Sequence, residues 1–139
     1  MEYNRANIDN ISKETLVDLL CTATYNSDWL EITTLKAEKH LDSGFDEDYL
    51  ANRCCEERWA DRLLNGGHIV CKDWYAAEDD DEGKPAKYKI DLNTLKERLK
   101  LARDKEAVRD WSDFILEKDD YYTCNNLMQV VMFKEIIYG

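Results

Sequence analysis

The chain has 139 residues, of which 30 are Asp or Glu and 19 are Lys or Arg, so its formal net charge at pH 7 is −11. A charge of this sign repels bare nucleic acid and anionic membranes at long range, and it attracts basic surfaces. The hydrophobic residues, 44% of the chain with four Trp and eight Tyr among them, supply enough apolar surface for a core and argue against a disordered acidic tail.

Length and composition favour one cytoplasmic domain over residues 1–139. A chain of this size usually forms a single domain. It contains no run of about 18 apolar residues that could span a membrane, and its first residues lack the basic and then apolar layout of a signal peptide. The five cysteines are odd in number and two of them, Cys54 and Cys55, are adjacent, which favours reduced thiols over a disulfide framework.

Helical spacing of apolar residues predicts two helices in the first 41 residues. Ser12 is a suitable N-cap for the first helix. Its apolar residues recur three or four positions apart, as on one buried face: Leu16, Leu19, Leu20 and Ala23. A second helix, capped by Ser27 or Asp28, is predicted over residues 28–41.

A third helix is predicted over residues 46–65, and β-structure follows it. The Asn-Gly-Gly run at residues 65–67 ends this helix, because glycine readily adopts the left-handed turn. Residues 68–75 are β-branched and aromatic, and residues 87–92 alternate apolar and polar side chains, so both are predicted strands. Together they predict an antiparallel β-hairpin over about residues 68–92.

The connection of this hairpin is the most acidic stretch of the chain. The predicted loop covers residues 76–85, and five acids follow one another in it: Glu78, Asp79, Asp80, Asp81 and Glu82. Clustered like charge is unfavourable in a packed element, so we expect the loop to be exposed and mobile.

Three further helices are predicted after the hairpin. Asn93 caps one, residues 106–117 form an amphipathic second, and Thr123 caps the last. Residues 127–138 are apolar nearly all round, which is typical of a central helix or of an oligomer interface. The sequence thus predicts an α+β fold: a mostly helical single domain of about six helices with one antiparallel β-hairpin.

Motifs that would mark a catalytic, metal or cofactor site do not occur in the sequence. His68 and Cys71 are too few for zinc and point to opposite faces of a strand. The acids at residues 79–83 lack the ligand order of an EF-hand calcium loop. Nucleophile and phosphate-loop motifs are also missing. We expect no enzyme, no metal and no cofactor, with an unrecognised enzyme or small-ligand binder as one alternative.

Residues 84–103 carry a net positive charge, whereas the rest of the chain is net negative. This stretch has seven basic residues against two acids, the basic ones being Lys84, Lys87, Lys89, Lys96, Arg98, Lys100 and Arg103. Helices followed by a β-hairpin are also the order of elements in winged-helix proteins, so a DNA-binding regulator is another alternative. The competing interpretation is that these side chains pair with nearby carboxylates, within the fold or across a dimer.

Three acidic clusters are the candidate partner-binding residues. Their members are Asp46, Glu47 and Asp48; Glu78, Asp79, Asp80, Asp81 and Glu82; and Asp110, Asp113, Glu117, Asp119 and Asp120. Carboxylates on a folded surface can occupy the basic groove of a nucleic-acid-binding protein, because complementary charge speeds association and fixes register. The acidity could equally serve only to keep the protein soluble.

Two stretches of the C-terminal half carry a resemblance. Residues 60–67 (ADRLLNGG), followed by a strand, an acidic insert and residues 88–92 (YKIDL), and the ending at residues 126–139 (NLMQVVMFKEIIYG) resemble small uncharacterised acidic proteins carried by mobile genetic elements of Gram-positive gut bacteria. Those proteins often have glycine where this chain has Lys134. The resemblance implies a phage, plasmid or conjugative element, a context in which small acidic proteins that block defence nucleases recur.

The sequence therefore predicts a non-enzymatic interaction protein of a mobile element. We expect it to bind a basic, nucleic-acid-handling host protein such as a defence nuclease, as a nucleic-acid mimic or anti-defence inhibitor. Direct contact with nucleic acid or membrane is not expected at this net charge. Exposed Tyr, Trp and Met side chains could support a homodimer.

Overall fold

A computed structural model describes residues 4–25, 27–42 and 55–139. Its regular elements are α1 (Lys13–Thr24), β1 (Leu30–Thr33), α2 (Cys55–Leu64), β2 (His68–Asp73), β3 (Ala86–Asp91), α3 (Leu92–Leu101), α4 (Val108–Ile115) and α5 (Tyr121–Phe133). Short 3-10 helices cover Lys36–Asp42 and Tyr75–Asp79, and a π-helical turn covers Ala102–Glu106. The fold is an α+β single domain, as the sequence predicts. No helix in the described ranges is long and apolar enough to cross a membrane.

Helix α1 forms as predicted. The Ser12 Oγ accepts a hydrogen bond from the Thr15 backbone N–H at 3.2 Å, so it caps the helix. The predicted apolar face is fully buried, with Leu16, Leu19, Leu20 and Ala23 all at 0% exposure. This face packs against α5 and α2, and it thereby joins the two ends of the chain in one core.

The helix predicted over residues 28–41 is wrong. Leu30–Thr33 is instead a strand, β1, which pairs antiparallel with β2 in the register Leu30↔Asp73 and Ile32↔Cys71. Burial alternates along it, with Leu30 and Ile32 inside and Glu31 exposed, and this period of two overrides the weak helical spacing. Ser27 caps a turn rather than a helix, since its Oγ accepts from the Leu30 N–H at 3.0 Å.

The predicted hairpin therefore belongs to a three-stranded sheet of order β1-β2-β3. Strands β2 and β3 pair from His68↔Asp91 to Asp73↔Ala86. The inner face, which includes Ile69 and Cys71 at 0% exposure, lies on the helices. The acidic residues 78–82 and the two that follow are exposed, as predicted, although the loop begins with a 3-10 helix.

Helix α2 ends where the sequence predicts. Gly66 has φ +88°, the left-handed turn that glycine favours at a helix C-terminus. At Gly67 a Cβ would lie 2.6 Å from the Leu41 Cδ1 and 3.0 Å from the Arg62 Cγ, so a larger residue here would require these side chains to shift. The predicted beginning of this helix, at residues 46–54, lies outside the described residues.

The helices after the hairpin form with shifted ends. Asp91, and not Asn93, caps α3, and Asp120, and not Thr123, caps α5, because each aspartate oxygen accepts from the backbone N–H three residues later. Helix α5 is central, as predicted, because nine of the ten residues from Thr123 to Met132 are buried, Asn126 being the exception. It stops at Phe133 rather than continuing to Tyr138, since Lys134 has φ +67°.

The last residues fold back on α5. The Gln129 Oε1 accepts from the backbone N–H of Ile137 at 2.9 Å and of Tyr138 at 2.7 Å. The Tyr138 ring packs edge-on against Trp29 and Tyr75, and its hydroxyl donates to the buried Asp73 at 2.5 Å. Partial burial and the contact with Asp73 raise the pKa of Tyr138. This aromatic cluster fixes the corner at which β2 ends.

Candidate functional site

Most of the basic residues at 84–103 have partners within the fold. Lys84 pairs with Glu82 at 2.6 Å and Lys100 with Asp9 at 2.5 Å. The Lys96 Nζ donates to the Asp9 carbonyl at 2.8 Å, and Arg98 donates to the Val131 carbonyl at 3.0 Å. These contacts favour the interpretation that the basic stretch serves the fold.

The acidic cluster at the junction of α4 and α5 is also largely committed to the fold. Asp119 pairs with Arg5, and Asp120 caps α5. Asp110 accepts from the Asn126 amide at 3.4 Å, and burial together with the nearby charges of Asp113 and Asp120 raises its pKa. Of the five predicted contact residues here, two keep their carboxylates free of side-chain bonds to described residues: Asp113 and Glu117.

Sequence reasoning missed Arg5, which lies buried at 8% exposure. Besides Asp119, it donates to Asp18 at 3.0 Å and to the Phe114 carbonyl at 3.0 Å, and its guanidinium lies 4.5 Å from the centre of the Phe114 ring. The N-terminal segment is anchored to the core in this way. A lone arginine near a terminus gave no local signal, since its partners are 13 to 114 residues away.

The hairpin loop, in contrast, keeps exposed carboxylates. The Asp80 Oδ2 accepts from the backbone N–H groups of Glu82 and Lys84, both at 3.0 Å, and so shapes the turn. Glu78, Asp79 and Asp81 are exposed and form no ion pair with the residues that the structure describes. The loop therefore presents three free negative charges. The residues Asp46, Glu47 and Asp48 lie outside the described ranges.

Tyr75 connects this loop to the Ser27–Asp28 turn. Its hydroxyl donates to the Asp28 Oδ2 at 2.8 Å, and this hydrogen bond, together with burial and the negative charges of Asp28 and Glu78, raises its pKa. Tyr121, the first residue of α5, donates to the Ser27 Oγ at 3.4 Å. The loop acids and Asp28 thus belong to one region of the surface.

An open cleft of about 400 Å³ adjoins this region. It lies between the end of α1, strand β1, helix α2 and the corner after β2. Its lining residues are Thr24, Ser27, Asp28, Trp29, Leu30, Glu31, Ile32, Trp59 and Trp74. Three of the four tryptophans of the chain and two carboxylates therefore meet in one concave surface.

Sequence reasoning missed this cleft because it placed residues 28–41 on a helix. In the observed strand, Glu31 lies opposite Lys72 of β2 and its carboxylate accepts a hydrogen bond from the Trp74 indole. The sequence did contain one signal, because an aspartate directly precedes a tryptophan twice, at Asp28-Trp29 and at Asp73-Trp74.

The suggested metal ligands have other roles. Cys71 is fully buried on the inner face, and burial raises its pKa to about 12. His68 lies on the other face, where its Nδ1 is 2.6 Å from the Glu38 Oε2 and its backbone N–H donates to the Glu38 Oε1 at 2.9 Å. No group of three or more potential metal ligands occurs among the residues that the structure places.

Comparison of the chain with protein-family models, with curated proteins and with solved structures finds no match.

Proposed function

We propose that this chain is a non-enzymatic, acidic interaction protein that acts in the cytoplasm and binds a basic, nucleic-acid-handling protein. The observation that carries the proposal is the set of exposed carboxylates left unpaired by the fold beside an open aromatic cleft. Free charges of this kind attract a partner of opposite sign at long range and orient it on approach. The resemblance of the C-terminal half suggests the setting, a mobile element whose product blocks a defence nuclease by mimicking nucleic acid.

The proposed contact surface is narrower than the predicted one. Its main residues are Glu78, Asp79 and Asp81 of the loop, with Asp28 and Glu31 beside them. Asp113 and Glu117 are secondary candidates. Asp119 is excluded because its charge is matched by the buried Arg5.

Affinity capture with a matched pair of variants tests this proposal. The loop variant combines Glu78→Gln, Asp79→Asn and Asp81→Asn. The control variant removes three exposed charges elsewhere, Glu14→Gln, Glu97→Gln and Glu135→Gln, so both have the same net charge. The bait is incubated with a lysate of a Gram-positive bacterium at low salt, and retained proteins are identified by mass spectrometry.

We expect the wild type and the control variant to retain a basic nucleic-acid-binding protein, and the loop variant to lose it. Retention should weaken as salt rises, because exposed charges are screened. The purified partner's nuclease activity should fall when the wild-type chain is added. Recovery of no basic protein at low salt, or equal loss with both variants, would contradict the proposal.

One observation favours the DNA-binding alternative. Lys87 and Lys89 lie on the outer face of the sheet beside Lys72, which contacts Glu31 at 3.8 Å, and together they give a small basic patch. If this patch binds phosphate, the purified protein shifts duplex DNA in a gel at low salt, and Lys87→Glu with Lys89→Glu abolishes the shift. An absent shift with the wild type rules this alternative out.

A further inference from the structure

The walls of the cleft are aromatic and held in place. Trp74 is 41% exposed, yet its backbone N–H donates to the Trp29 carbonyl at 2.8 Å and its indole Nε1 donates to the Glu31 Oε1 at 3.1 Å. Trp59 is half-buried and packs against the core from α2. The rings are therefore positioned before any ligand arrives, which lowers the entropic cost of binding.

Two carboxylates in the cleft retain unused oxygens. The Asp28 Oδ2 accepts a hydrogen bond from the Tyr75 hydroxyl. The Glu31 Oε1 accepts a hydrogen bond from the Trp74 indole and lies 3.8 Å from the Lys72 ammonium. The other oxygen of each carboxylate has no bond to the residues that the structure describes. Lys72 offsets one of the two charges, so the cleft keeps a net negative charge.

We propose that this cleft receives an arginine side chain of the basic partner, with the guanidinium stacked on tryptophan and hydrogen-bonded to Asp28 or Glu31. The inference rests on the proposed function and names its anchoring contact. A cation over an indole face is attracted by the ring quadrupole, and tryptophan is the strongest of the aromatic residues in this respect. Charge complementarity between the cleft and a basic protein selects this occupant over an acidic or apolar segment.

Arginine fits better than lysine for two reasons. Its planar guanidinium can stack on a ring and at the same time donate several hydrogen bonds in its own plane, whereas an ammonium is a compact and strongly hydrated charge. The carboxylates of Asp28 and Glu31 also come from the wall beside the tryptophans, which suits a donor with a flat, forked shape.

A peptide titration tests the inference without the natural partner. The probe is the capped pentapeptide Gly-Arg-Gly-Arg-Gly, compared with peptides in which lysine or citrulline replaces arginine, citrulline being the neutral counterpart of nearly the same shape. The indole N–H signals of the ¹⁵N-labelled protein are followed by NMR. We expect the arginine peptide to shift the signals of Trp59 and Trp74 saturably, while the signal of buried Trp111 stays in place.

Variants locate the binding. Trp74→Ala and the nearly isosteric Glu31→Gln should each lower the affinity for the arginine peptide, and Trp74→Ala should lower it about tenfold. Glu97→Gln, on the exposed side of α3, should leave this affinity unchanged. Equal binding of the citrulline peptide, or shifts confined to the acidic loop, would overturn the inference. Glu31→Gln keeps it falsifiable if Trp74→Ala fails to fold.

The two proposals fail in different ways. If the loop variant loses the captured basic protein while Trp74→Ala retains it fully, the arginine site is overturned and the proposed function stands. If the arginine peptide binds the cleft while no basic protein is captured, the cleft is supported and the proposed function is overturned.

Discussion

At the scale of single residues, Lys134 is in a backbone conformation that its side chain disfavours. It has φ +67°, and its N–H donates to the Val130 carbonyl at 2.9 Å. A residue with this left-handed conformation often ends a helix, and glycine usually occupies the position. The structure therefore makes this position a site for stabilisation.

We expect Lys134→Gly to stabilise the protein by about 1 kcal/mol, because relief of the left-handed strain exceeds the added entropy of the unfolded chain. Glu135→Gly is the control, since residue 135 has no positive φ and should lose stability instead. Urea unfolding at equilibrium measures both. A loss of stability of equal size in the two variants would contradict the prediction.

The buried Arg5 should contribute strongly to the stability of the fold. Replacement by methionine leaves Asp119, whose side chain is 9% exposed, as an uncompensated buried charge, so Arg5→Met should cost about 3–5 kcal/mol. Addition of Asp119→Asn should recover part of that loss. The exposed pair of Lys100 and Asp9 is the comparison, and Lys100→Met should have little effect. Similar unfolding midpoints for Arg5→Met and Lys100→Met would show that the buried pair contributes no more than an exposed one.

At the scale of elements, local spacing predicted those parts of the fold whose partners are near in sequence. The α1 cap and the glycine stop of α2 depend on residues a few positions apart, and the β2–β3 hairpin joins two segments that follow each other directly in the order of strands. Strand β1 was missed because its hydrogen bonds go to β2, about 40 residues away, and no local pattern reports that pairing. The cleft depends on β1, so it was missed for the same reason, whereas the exposed acidic loop was predicted from its composition.

The 3-10 segment Lys36–Asp42 contacts β2 through hydrogen bonds between Glu38 and His68. Because these bonds involve the Glu38 carboxylate, the stability that they contribute should depend on pH. Partial burial opposes ionisation of Glu38, but the hydrogen bonds from the His68 side chain and backbone outweigh it and hold the pKa of Glu38 below its usual range. A carboxylate with a lowered folded pKa stabilises fully above its unfolded pKa, and the contribution is lost as pH falls through the folded value.

Wild type should therefore exceed Glu38→Gln in stability at neutral pH, and the difference should shrink as the pH falls below the ordinary range of glutamate. Urea unfolding at a series of pH values measures it. Glu97→Gln, which removes an exposed charge without these hydrogen bonds, should show no such convergence. A difference between wild type and Glu38→Gln that is constant with pH would mean that Glu38 acts without its charge.

At the scale of the whole molecule, whose net charge is −11, the described residues include carboxylates of two contrasting kinds. Asp18, Asp119 and Asp120 are matched by Arg5 or by a helix N-terminus and stabilise the fold. The free loop acids and the cleft acids are available to a partner. Since the loop is exposed and the cleft is concave, the two should contribute at different stages of binding. The loop should speed association, and the cleft should slow dissociation of the complex.

Binding kinetics of the arginine peptide should separate these stages. Neutralising Glu78, Asp79 and Asp81 should slow association about threefold at low salt and leave dissociation unchanged, because free charges on the rim act mainly by steering. Trp74→Ala should instead speed dissociation about tenfold with little effect on association, since a stacked contact forms only after docking. Stopped-flow tryptophan fluorescence at several salt concentrations measures both rates. The same change of the same rate in both variants would mean that loop and cleft are one electrostatic surface, and then the tryptophans would have no separate role.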